Sequence, residues 1–311
     1  MKREDAKSPS IRKIRSKGFY LSKTQTAVLF ASPAIIFTFV LLLYPIITVF
    51  RNSMYDMRLY VQQPSKYIGF ENFSHIFTKD PYFWTAFKNT LVFTGIAVPL
   101  ELFVGFLLAL LLNLKIRSRG IYRTLLLLPW VTPPVVAALM WAWLLNYNSG
   151  LVNYLLTNIG ILSSPRLWLG EAQTALLSVI FIDLWRETPF FILVLLAGMQ
   201  TVPIELYEAV KIDGGNFLAQ IRYVMLPLIK HSILISLLIR TMSAFKIFDL
   251  IYVLTHGGPA GATEVLATYT YKTTFEYMKI GLGSAMSIFI LLIVIILSII
   301  YIRLLGKQDN A

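Results

Sequence analysis

The sequence predicts an all-α protein that crosses a lipid membrane six times. Of its 311 residues, 57% are hydrophobic and only 14% are charged, whereas a soluble domain carries about 25% charged residues. The apolar residues collect in six long runs, and about 20 helical residues suffice to cross the hydrocarbon layer of a bilayer. Lysine and arginine gather in alternate connections between these runs, which is typical of membrane proteins.

The six predicted spans occupy residues 26–50, 89–114, 121–145, 172–199, 228–254 and 280–302. The first and last contain no charged residue, the second contains only Glu101, and the third only Arg123. The fourth and fifth carry several charges but are equally apolar elsewhere, so both are retained as spans. The first run exceeds the roughly 7–15 apolar residues of a cleavable signal peptide, so we expect it to remain as a membrane helix.

A single transmembrane domain is predicted over residues 26–305, between a basic segment at 1–25 and a short tail at 306–311. The net charge of +12 stems from that segment, from the connection after the second span and from the tail. Because lysine and arginine favour the cytoplasmic side, both termini and the connection between the fourth and fifth spans are predicted to be cytoplasmic, in an inner (cytoplasmic) membrane. The basic residues are assigned to topology and lipid headgroups rather than to nucleic acid.

Several kinds of chemistry find no support in the sequence. There is no cysteine, and His75, His231 and His256 lack the spacing of metal ligands, so we expect no metal site and no thiol chemistry. No nucleophile or acid–base constellation indicates catalysis, and no catalytic residue is assigned. The Gly-x-x-x-x-Gly-Lys-Ser/Thr loop that cradles nucleotide phosphates is also missing, so no cofactor is expected on this chain, and ATP with its Mg²⁺ would be bound by a partner.

A charged, glycine-broken stretch, EAVKIDGGNFLAQIRYVMLPLIK, begins at Glu208 between the fourth and fifth spans. Pro203 is typical of a helix start, Gly214 of a helix end and Asn216 of the cap of a second helix. The connection at residues 200–227, which we call the elbow, is therefore predicted to be an amphipathic helix–turn–helix. Two interpretations remain open, since the elbow could lie on lipid headgroups or pass force from a soluble partner to the membrane helices.

The elbow resembles a pattern found in the permease subunits of binding-protein-dependent ABC importers: Glu-Ala-Ala, three residues, Gly, nine residues, Ile-x-Leu-Pro. The matching residues are Glu208, Ala209, Val210, Gly214, Val224, Leu226 and Pro227, with valine in place of the second alanine and of the isoleucine. Four further blocks resemble the sugar branch of this family in the same order, namely YIGFENF, RTLLLLPWVTPPVV, DLWRETPFFILVLLAGMQTVPIELYEAV and LTHGGPAGAT. The chain is most similar to permeases of the maltose or glycerol-phosphate type.

This resemblance implies a type I ABC importer permease fold that imports a sugar or sugar derivative by alternating access. It also implies partners: a second, homologous permease, two copies of a cytoplasmic ATPase, an extracytoplasmic solute-binding protein and a carbohydrate substrate. The elbow would be the coupling helix that docks on the ATPase, and the residues carried over to that contact are Glu208, Ala209, Asp213, Gly214, Leu226 and Pro227. The sequence leaves open which sugar is carried and whether the second permease is a different chain.

Charged residues inside the spans form a second group of candidates, because an ionised group in the bilayer is costly unless it is paired or hydrated. Apart from Lys230 near the start of the fifth span, those on the fourth and fifth spans are Asp183, Arg186, Glu187, Arg240, Lys246 and Asp249. They either pair with one another across the two helices or line a hydrated sugar pocket. The resemblance to the maltose permease places sugar contacts at Asp183, Glu187, Phe190, Arg240, Ala244 and Ile247.

Two of these charges keep specific alternatives. Arg240 either selects an anionic sugar or neutralises Asp183 or Glu187. Glu101, the lone charge of the second span, is expected to reach a backbone group or a basic partner.

A different class of function also remains open. In an ion-coupled secondary transporter, Asp183, Glu187 and Lys246 would relay protons. Six spans without two repeated halves and the pattern of the elbow favour the importer instead. A membrane enzyme is the least supported interpretation, because the sequence offers no metal or nucleophile constellation.

Overall fold

The structure is a computed structural model that describes residues 22–60, 64–114 and 117–306. Most of the basic N-terminal segment, Lys115 and the tail from residue 307 onward lie outside the described residues, so the expectations for them stay predictions. The chain divides into two units, Met1–Thr48 and Val49–Ala311, and each is described by itself.

The first unit contains most of helix α1 (Lys23–Ser53). Ser22 and Gln25 form a capping box at its start, because the Ser22 hydroxyl accepts from the Gln25 N–H at 3.2 Å and the Gln25 side chain accepts from the Ser22 N–H at 2.9 Å. No charged residue lies between Lys23 and Arg51. With 31 residues and a mean hydropathy of 2.4, α1 is long and apolar enough to cross a bilayer.

In the second unit, the last residues of α1 are followed by a small hairpin and two helices. Strands β1 (Tyr55–Asp56) and β2 (Lys66–Tyr67) pair antiparallel, and α2 (Glu71–Thr78) and α3 (Pro81–Asn113) follow. Asp80 caps α3, since its carboxylate accepts from the Phe83 N–H at 3.1 Å. With 33 residues, α3 is about 50 Å long, so it starts well before the predicted span at 89–114 and extends beyond the hydrocarbon layer.

The remaining elements are α4 (Arg119–Val131), α5 (Pro134–Leu144), α6 (Leu151–Asn158), α7 (Ala172–Gln200), α8 (Ile204–Ile212), α9 (Phe217–Leu228), α10 (Lys230–Ala244), α11 (Asp249–Thr255), α12 (Leu266–Tyr271) and α13 (Ile280–Gly306). The predicted runs at 172–199 and 280–302 coincide with single helices, α7 and α13.

The predicted run at 121–145 is not one continuous helix, which corrects the sequence prediction. Helices α4 and α5 meet at 96° across Thr132, Pro133 and Pro134. Two consecutive prolines remove two backbone donors and force the residue before each of them into an extended conformation. The helix therefore has to stop and restart in a new direction.

The predicted run at 228–254 is also interrupted, and in two places. Helices α9 and α10 meet at 65° around Ile229, and α10 ends at Ala244, before α11 begins at Asp249. The second break allows neighbouring side chains to enter different cores, since Phe245 packs in one hydrophobic cluster and Ile247 in the other.

The number of candidate spans follows from these bends. Among the described residues, α1, α3 and α13 are long and apolar enough to cross a membrane alone. Three bent pairs, α4 with α5, α7 with α8 and α9 with α10, raise the number to as many as six if each pair forms one span. The structure is thus mostly helical, with three to six candidate spans.

Two hydrophobic clusters hold the second unit together. The larger joins α3, α7, α10 and α11 through fully or almost fully buried side chains such as Phe93, Phe191 and Ile251. The smaller contains Ile76 and Phe83, with the ring of Phe289 5.2 Å from that of Phe83. These two clusters fix the helices that carry the charged residues described below.

Helix α3 packs closely along α7 because Gly105 lies at their crossing. A Cβ atom at this position would come within 2.5 Å of the Phe191 Cβ, so only glycine allows this approach. Small residues at helix crossings are a common basis of packing in membranes. Gly198 plays the same part between α7 and α10, where an added Cβ would lie 2.5 Å from the Ser232 Oγ.

We predict that Gly105→Val destabilises the protein by about 1–3 kcal/mol, the usual effect of overpacking a tight core. Helix α3 offers a matched control in Gly95, which is exposed and where an added Cβ would meet no atom within 4 Å. Gly95→Val should therefore leave stability nearly unchanged. Thermal unfolding of the purified variants in detergent measures both, and equal losses at the two positions would contradict the packing at Gly105.

Candidate functional site

The elbow leaves α7 through a sharp bend. The Thr201 hydroxyl donates to the Gly198 carbonyl at 2.8 Å, and Pro203 directly precedes α8. Proline cannot continue the preceding helix but suits the start of the next one. The axis of α8 consequently lies at 72° to that of α7.

One face of α8 is anchored to the body of the protein. Tyr207 and Val202 pack against the larger hydrophobic cluster, and Val210 is half-buried. Burial raises the pKa of the Tyr207 hydroxyl above its ordinary value. The opposite face, with Leu206, Glu208 and Ala209, is exposed. This helix is therefore fixed from within and open to contacts from outside.

The turn after α8 confirms the predicted helix–turn–helix. Gly214 adopts a φ of +79°, which glycine reaches without steric strain, and the Gly215 N–H donates to the Val210 carbonyl at 2.8 Å. The Asn216 side chain then accepts from the Ala219 N–H at 2.9 Å and caps α9. Tight hydrogen bonds on both sides of the two glycines fix the direction of the turn.

The second helix of the elbow ends within one residue of the predicted connection at 200–227. Leu226 and Pro227 lie in its last turn, since α9 runs to Leu228. A π-helical turn at Ile221–Met225 precedes the proline. Such a wide turn accommodates a residue that lacks an N–H and would clash in a regular helix.

The tip of the elbow exposes large apolar side chains. Ile212 is 85% exposed and Leu218 is 70% exposed, and Phe217 beside them is also exposed. Asp213 and Gly214 lie between these residues in the chain. A cluster of exposed apolar side chains on a rigid projection is typical of a surface that another protein covers.

A buried ionic network lies on the other side of the bend and is centred on Arg240 of α10. Arg240 Nε donates to Glu101 Oε2 at 2.6 Å and Arg240 Nη2 donates to Glu101 Oε1 at 2.8 Å, a bidentate pair. The same Nη2 also donates to Asp183 Oδ2. Glu101 and Asp183 are 0% exposed and Arg240 is 3% exposed. These three residues join α3, α7 and α10.

Arg186 and Glu187 extend the network along α7. Arg186 Nη2 lies 2.5 Å from Glu187 Oε1 and 3.7 Å from Asp183 Oδ1. Unlike Glu101 and Asp183, both residues are partly exposed. The network thus has a sealed centre around Arg240 and an accessible edge at Arg186 and Glu187.

The other predicted pocket residues are distributed around this network. Ala244 and Ile247 are buried in the larger hydrophobic cluster, whereas Phe190 is partly exposed, with its ring 6.4 Å from that of Trp130. Lys246 and Asp249 are both exposed and, within the described residues, take no part in the network. The proximity of Trp130 to Phe190 was not predicted, because it depends on how α4 packs against α7.

The sequence also did not identify the partner of Glu101. Glu101 and Arg240 lie 139 residues apart, and the lone charge of the second span, which needs a basic partner, was the signal that could have connected them. Pairing is the outcome that low dielectric favours, because a buried carboxylate without a cation is far more costly than a hydrogen-bonded ion pair. The contacts of Arg240 with Glu101 and Asp183 favour the interpretation in which this arginine neutralises buried carboxylates.

We predict that Arg240→Met destabilises the purified protein by about 3–5 kcal/mol, because Glu101 and Asp183 would remain buried without a cation. Removing the acids as well, in the triple variant E101Q/D183N/R240M, should restore most of that loss. Thermal unfolding in detergent is the measurement.

Lys246→Met is the control, since Lys246 follows α10 closely but is exposed. This substitution should change the unfolding temperature little. If Arg240→Met were as mild as the control, the network would not hold the helices together.

Comparison with known proteins places the chain in a family. Residues 101–309 match the family described as "binding-protein-dependent transport system inner membrane component". The chain is 35% identical over 283 residues to the sulfoquinovosyl glycerol transport system permease protein of Agrobacterium fabrum, covering 91% of each chain. It is 34% identical over 274 residues to the trehalose/maltose transport system permease protein of Thermococcus litoralis, covering 87% of this chain and 90% of that one.

A solved structure has the same fold. It is the crystal structure of a bacterial alginate ABC transporter in complex with an alginate pentasaccharide-bound periplasmic protein, with a TM-score of 0.77, 25% identity, and coverage of 89% of this chain and 93% of that one. The chain therefore belongs to the family of binding-protein-dependent transport system inner membrane components and has the type I ABC importer permease fold.

Proposed function

We propose that this protein is the membrane-spanning permease subunit of an ATP-driven, binding-protein-dependent sugar importer. The observation that carries the proposal is the elbow, a rigid helix–turn–helix with exposed apolar residues at its tip. A bend joins each of its two helices, α8 and α9, to the helix beside it, α7 and α10 respectively. The named relatives, which transport sulfoquinovosyl glycerol and trehalose or maltose, support a carbohydrate as the substrate.

The proposed topology has six spans, with both termini and the elbow in the cytoplasm. In this topology each of the three bent pairs counts as one span. The transmembrane domain extends over residues 26–305. The position of Arg117, Arg119 and Arg123 after α3 supports this orientation, because such connections carry basic residues on the cytoplasmic side. The elbow, which is two spans further along the chain, falls on the same side.

The proposed energy source is a separate ATPase, present in two copies, which binds ATP and Mg²⁺. A second, homologous permease completes the pathway, and an extracytoplasmic binding protein delivers the sugar. The solved alginate transporter supports this last partner, since its structure includes a periplasmic protein with bound pentasaccharide. The exposed residues Leu206, Glu208 and Ala209 of the elbow, together with Asp213 and Gly214, would contact the ATPase.

The structure suggests how force would pass from the ATPase to the sugar pathway. Packing of Tyr207 against the larger hydrophobic cluster couples α8 to the body that α7 belongs to, and the close approach of Gly198 and Ser232 couples α7 to α10. The charge network then couples both helices to α3. Closure of the ATPases would therefore move these helices together and open the pathway alternately to either side.

The sugar contacts are proposed at the accessible edge of the network. Glu187 and Phe190 are partly exposed, and they combine a charged acceptor with an aromatic face, the mixture of groups that fixes a polar ligand in an otherwise apolar site. Asp183 and Arg240 would position Glu187 through Arg186 rather than touch the sugar. Ala244 and Ile247 would form the floor of the pocket.

We predict that Gly214→Ala abolishes coupling to the ATPase. The added methyl group meets no atom of this chain within 4 Å, so it would collide only with a partner docked at the tip. ATPase retained by the tagged permease after purification from membranes should fall by about tenfold or more, as expected for a contact at the centre of an interface.

Gly160→Ala is the matched control. Gly160 has a φ of +75° and also no atom within 4 Å of an added Cβ, so alanine there costs the same roughly 1–2 kcal/mol of backbone strain at a site remote from the elbow in sequence. It should retain the ATPase. If the intact chain retained no ATPase and transported sugar in response to a proton gradient alone, the importer proposal would fail and the ion-coupled alternative would replace it.

We predict that Glu187→Gln and Phe190→Ala each raise the KM for sugar transport several-fold while leaving thermal stability nearly unchanged. Both side chains are partly exposed, so their loss removes contacts to a ligand more than contacts to the core. Transport by the reconstituted importer and unfolding of the purified chain are the two measurements.

Phe181→Ala provides the control for Phe190→Ala, because Phe181 is an exposed phenylalanine on the same helix. It should leave the KM unchanged. A stability loss at Glu187 or Phe190 with no change in KM would assign these residues to packing and remove them from the pocket.

A further inference from the structure

Two arginines at the start of α4 lie beside the end of α7. Arg119 and Arg123 are four residues apart and therefore share one face of α4. With its oxygen turned toward them, the side-chain amide of Gln200 accepts from Arg123 Nη2 at 2.7 Å and from Arg119 Nη2 at 3.0 Å. Gln200 is the last residue of α7, so this contact joins α4 to the beginning of the elbow.

The charges of these arginines are not neutralised within the described part of the chain. Their shared acceptor is a neutral amide, whereas Arg186 and Arg240 contact carboxylates. The Nε atoms of Arg119 and Arg123 are also buried without a hydrogen-bond partner among the described residues. Such a pair of guanidiniums can accept an anion with several oxygen atoms, and bidentate contact with phosphate is the geometry that arginine favours.

An apolar groove runs away from the arginines between α3, α4 and α7. A cavity of about 180 Å³ begins at Arg123 and Gln200 and is lined by Leu112, Leu127 and Leu196. A second cavity of about 340 Å³ shares Ile192 with the first, and its lining is almost entirely apolar. The groove thus combines a cationic mouth with a long apolar wall.

We propose that this groove binds an anionic phospholipid, with its phosphate at Arg119 and Arg123 and one acyl chain along α7. Charge complementarity supports this occupant, since basic pockets between membrane helices at the cytoplasmic side are typical sites for anionic headgroups. A free phosphate would leave the apolar wall uncovered, and a sugar would find almost no hydrogen-bond partners there. The bound lipid would brace α4 against α7 at the point where the elbow begins.

The test measures lipid bound to the purified full chain in mixed micelles of phosphatidylglycerol and phosphatidylcholine, counted by native mass spectrometry. The wild-type chain should bind phosphatidylglycerol in preference to phosphatidylcholine. R119Q/R123Q should lower that affinity by about tenfold or more, because two charge-assisted contacts are lost. Ala197→Phe should lower it as well, since Ala197 lines the groove and a phenyl ring would occupy the space of the acyl chain.

Arg117→Gln is the control, because Arg117 is an exposed arginine near the same end of α4. It should bind phosphatidylglycerol as the wild type does, and glycerol phosphate should not displace the lipid. Unaltered binding by R119Q/R123Q would overturn the proposal, as would full binding by Ala197→Phe. Cross-linking of Ala197→Cys to a second permease would assign the groove to a protein instead. Lipid binding is measured without transport, so this result is independent of the proposed importer function.

Discussion

The contact of Arg240 with Glu101 and Asp183 holds together three helices that carry the other features of this molecule. Each of these charges would be strongly destabilising alone in an apolar interior, so each depends on the other two. Separation of α3, α7 and α10 would leave at least one of them without its partner. We infer that these helices move as one body. Packing at Gly105 and Gly198, where only glycine fits, reinforces the same three-helix arrangement without any charge.

The bends of the chain lie outside this body. They occur at Thr132–Pro134, after Gln200 and at Ile229, where proline or a change of helix type has already interrupted the hydrogen bonds. Two of them flank the elbow, whose helix α8 is fixed to the core by Tyr207. A force applied at the tip would therefore reach α7 and α10 with little loss in the turn, because the turn itself is held by backbone hydrogen bonds. Coupling of the elbow tip to the membrane helices therefore needs two properties: a rigid elbow, and three helices, α3, α7 and α10, that move together.

Much of this architecture could be predicted from the sequence, and the exceptions have physical causes. Runs of apolar residues identified α1, α3, α7 and α13, and the two glycines with Asn216 identified the elbow, because both signals are local. The inward face of α8 is set instead by Tyr207, which packs against a cluster of side chains from distant helices. The pairing of Glu101 with Arg240 spans 139 residues, and no local pattern encodes such a contact. The extent of the bend at Pro133 and Pro134 likewise depends on what each half packs against.

The arginines of this chain show how the surroundings decide the partner of a charge. Arg240 is 3% exposed, so water and lipid headgroups are out of its reach, and it requires carboxylates from the protein itself. Near the end of a span, a phosphate group of the bilayer can supply the anion, and among the described residues the acceptor that Arg119 and Arg123 share is the neutral amide of Gln200. A carboxylate there would compete with lipid for the guanidiniums. The amide of Gln200 orients the two guanidiniums and leaves their charge available to a lipid phosphate. This end of α7 is therefore suited to contact the membrane, and it leads directly into the elbow.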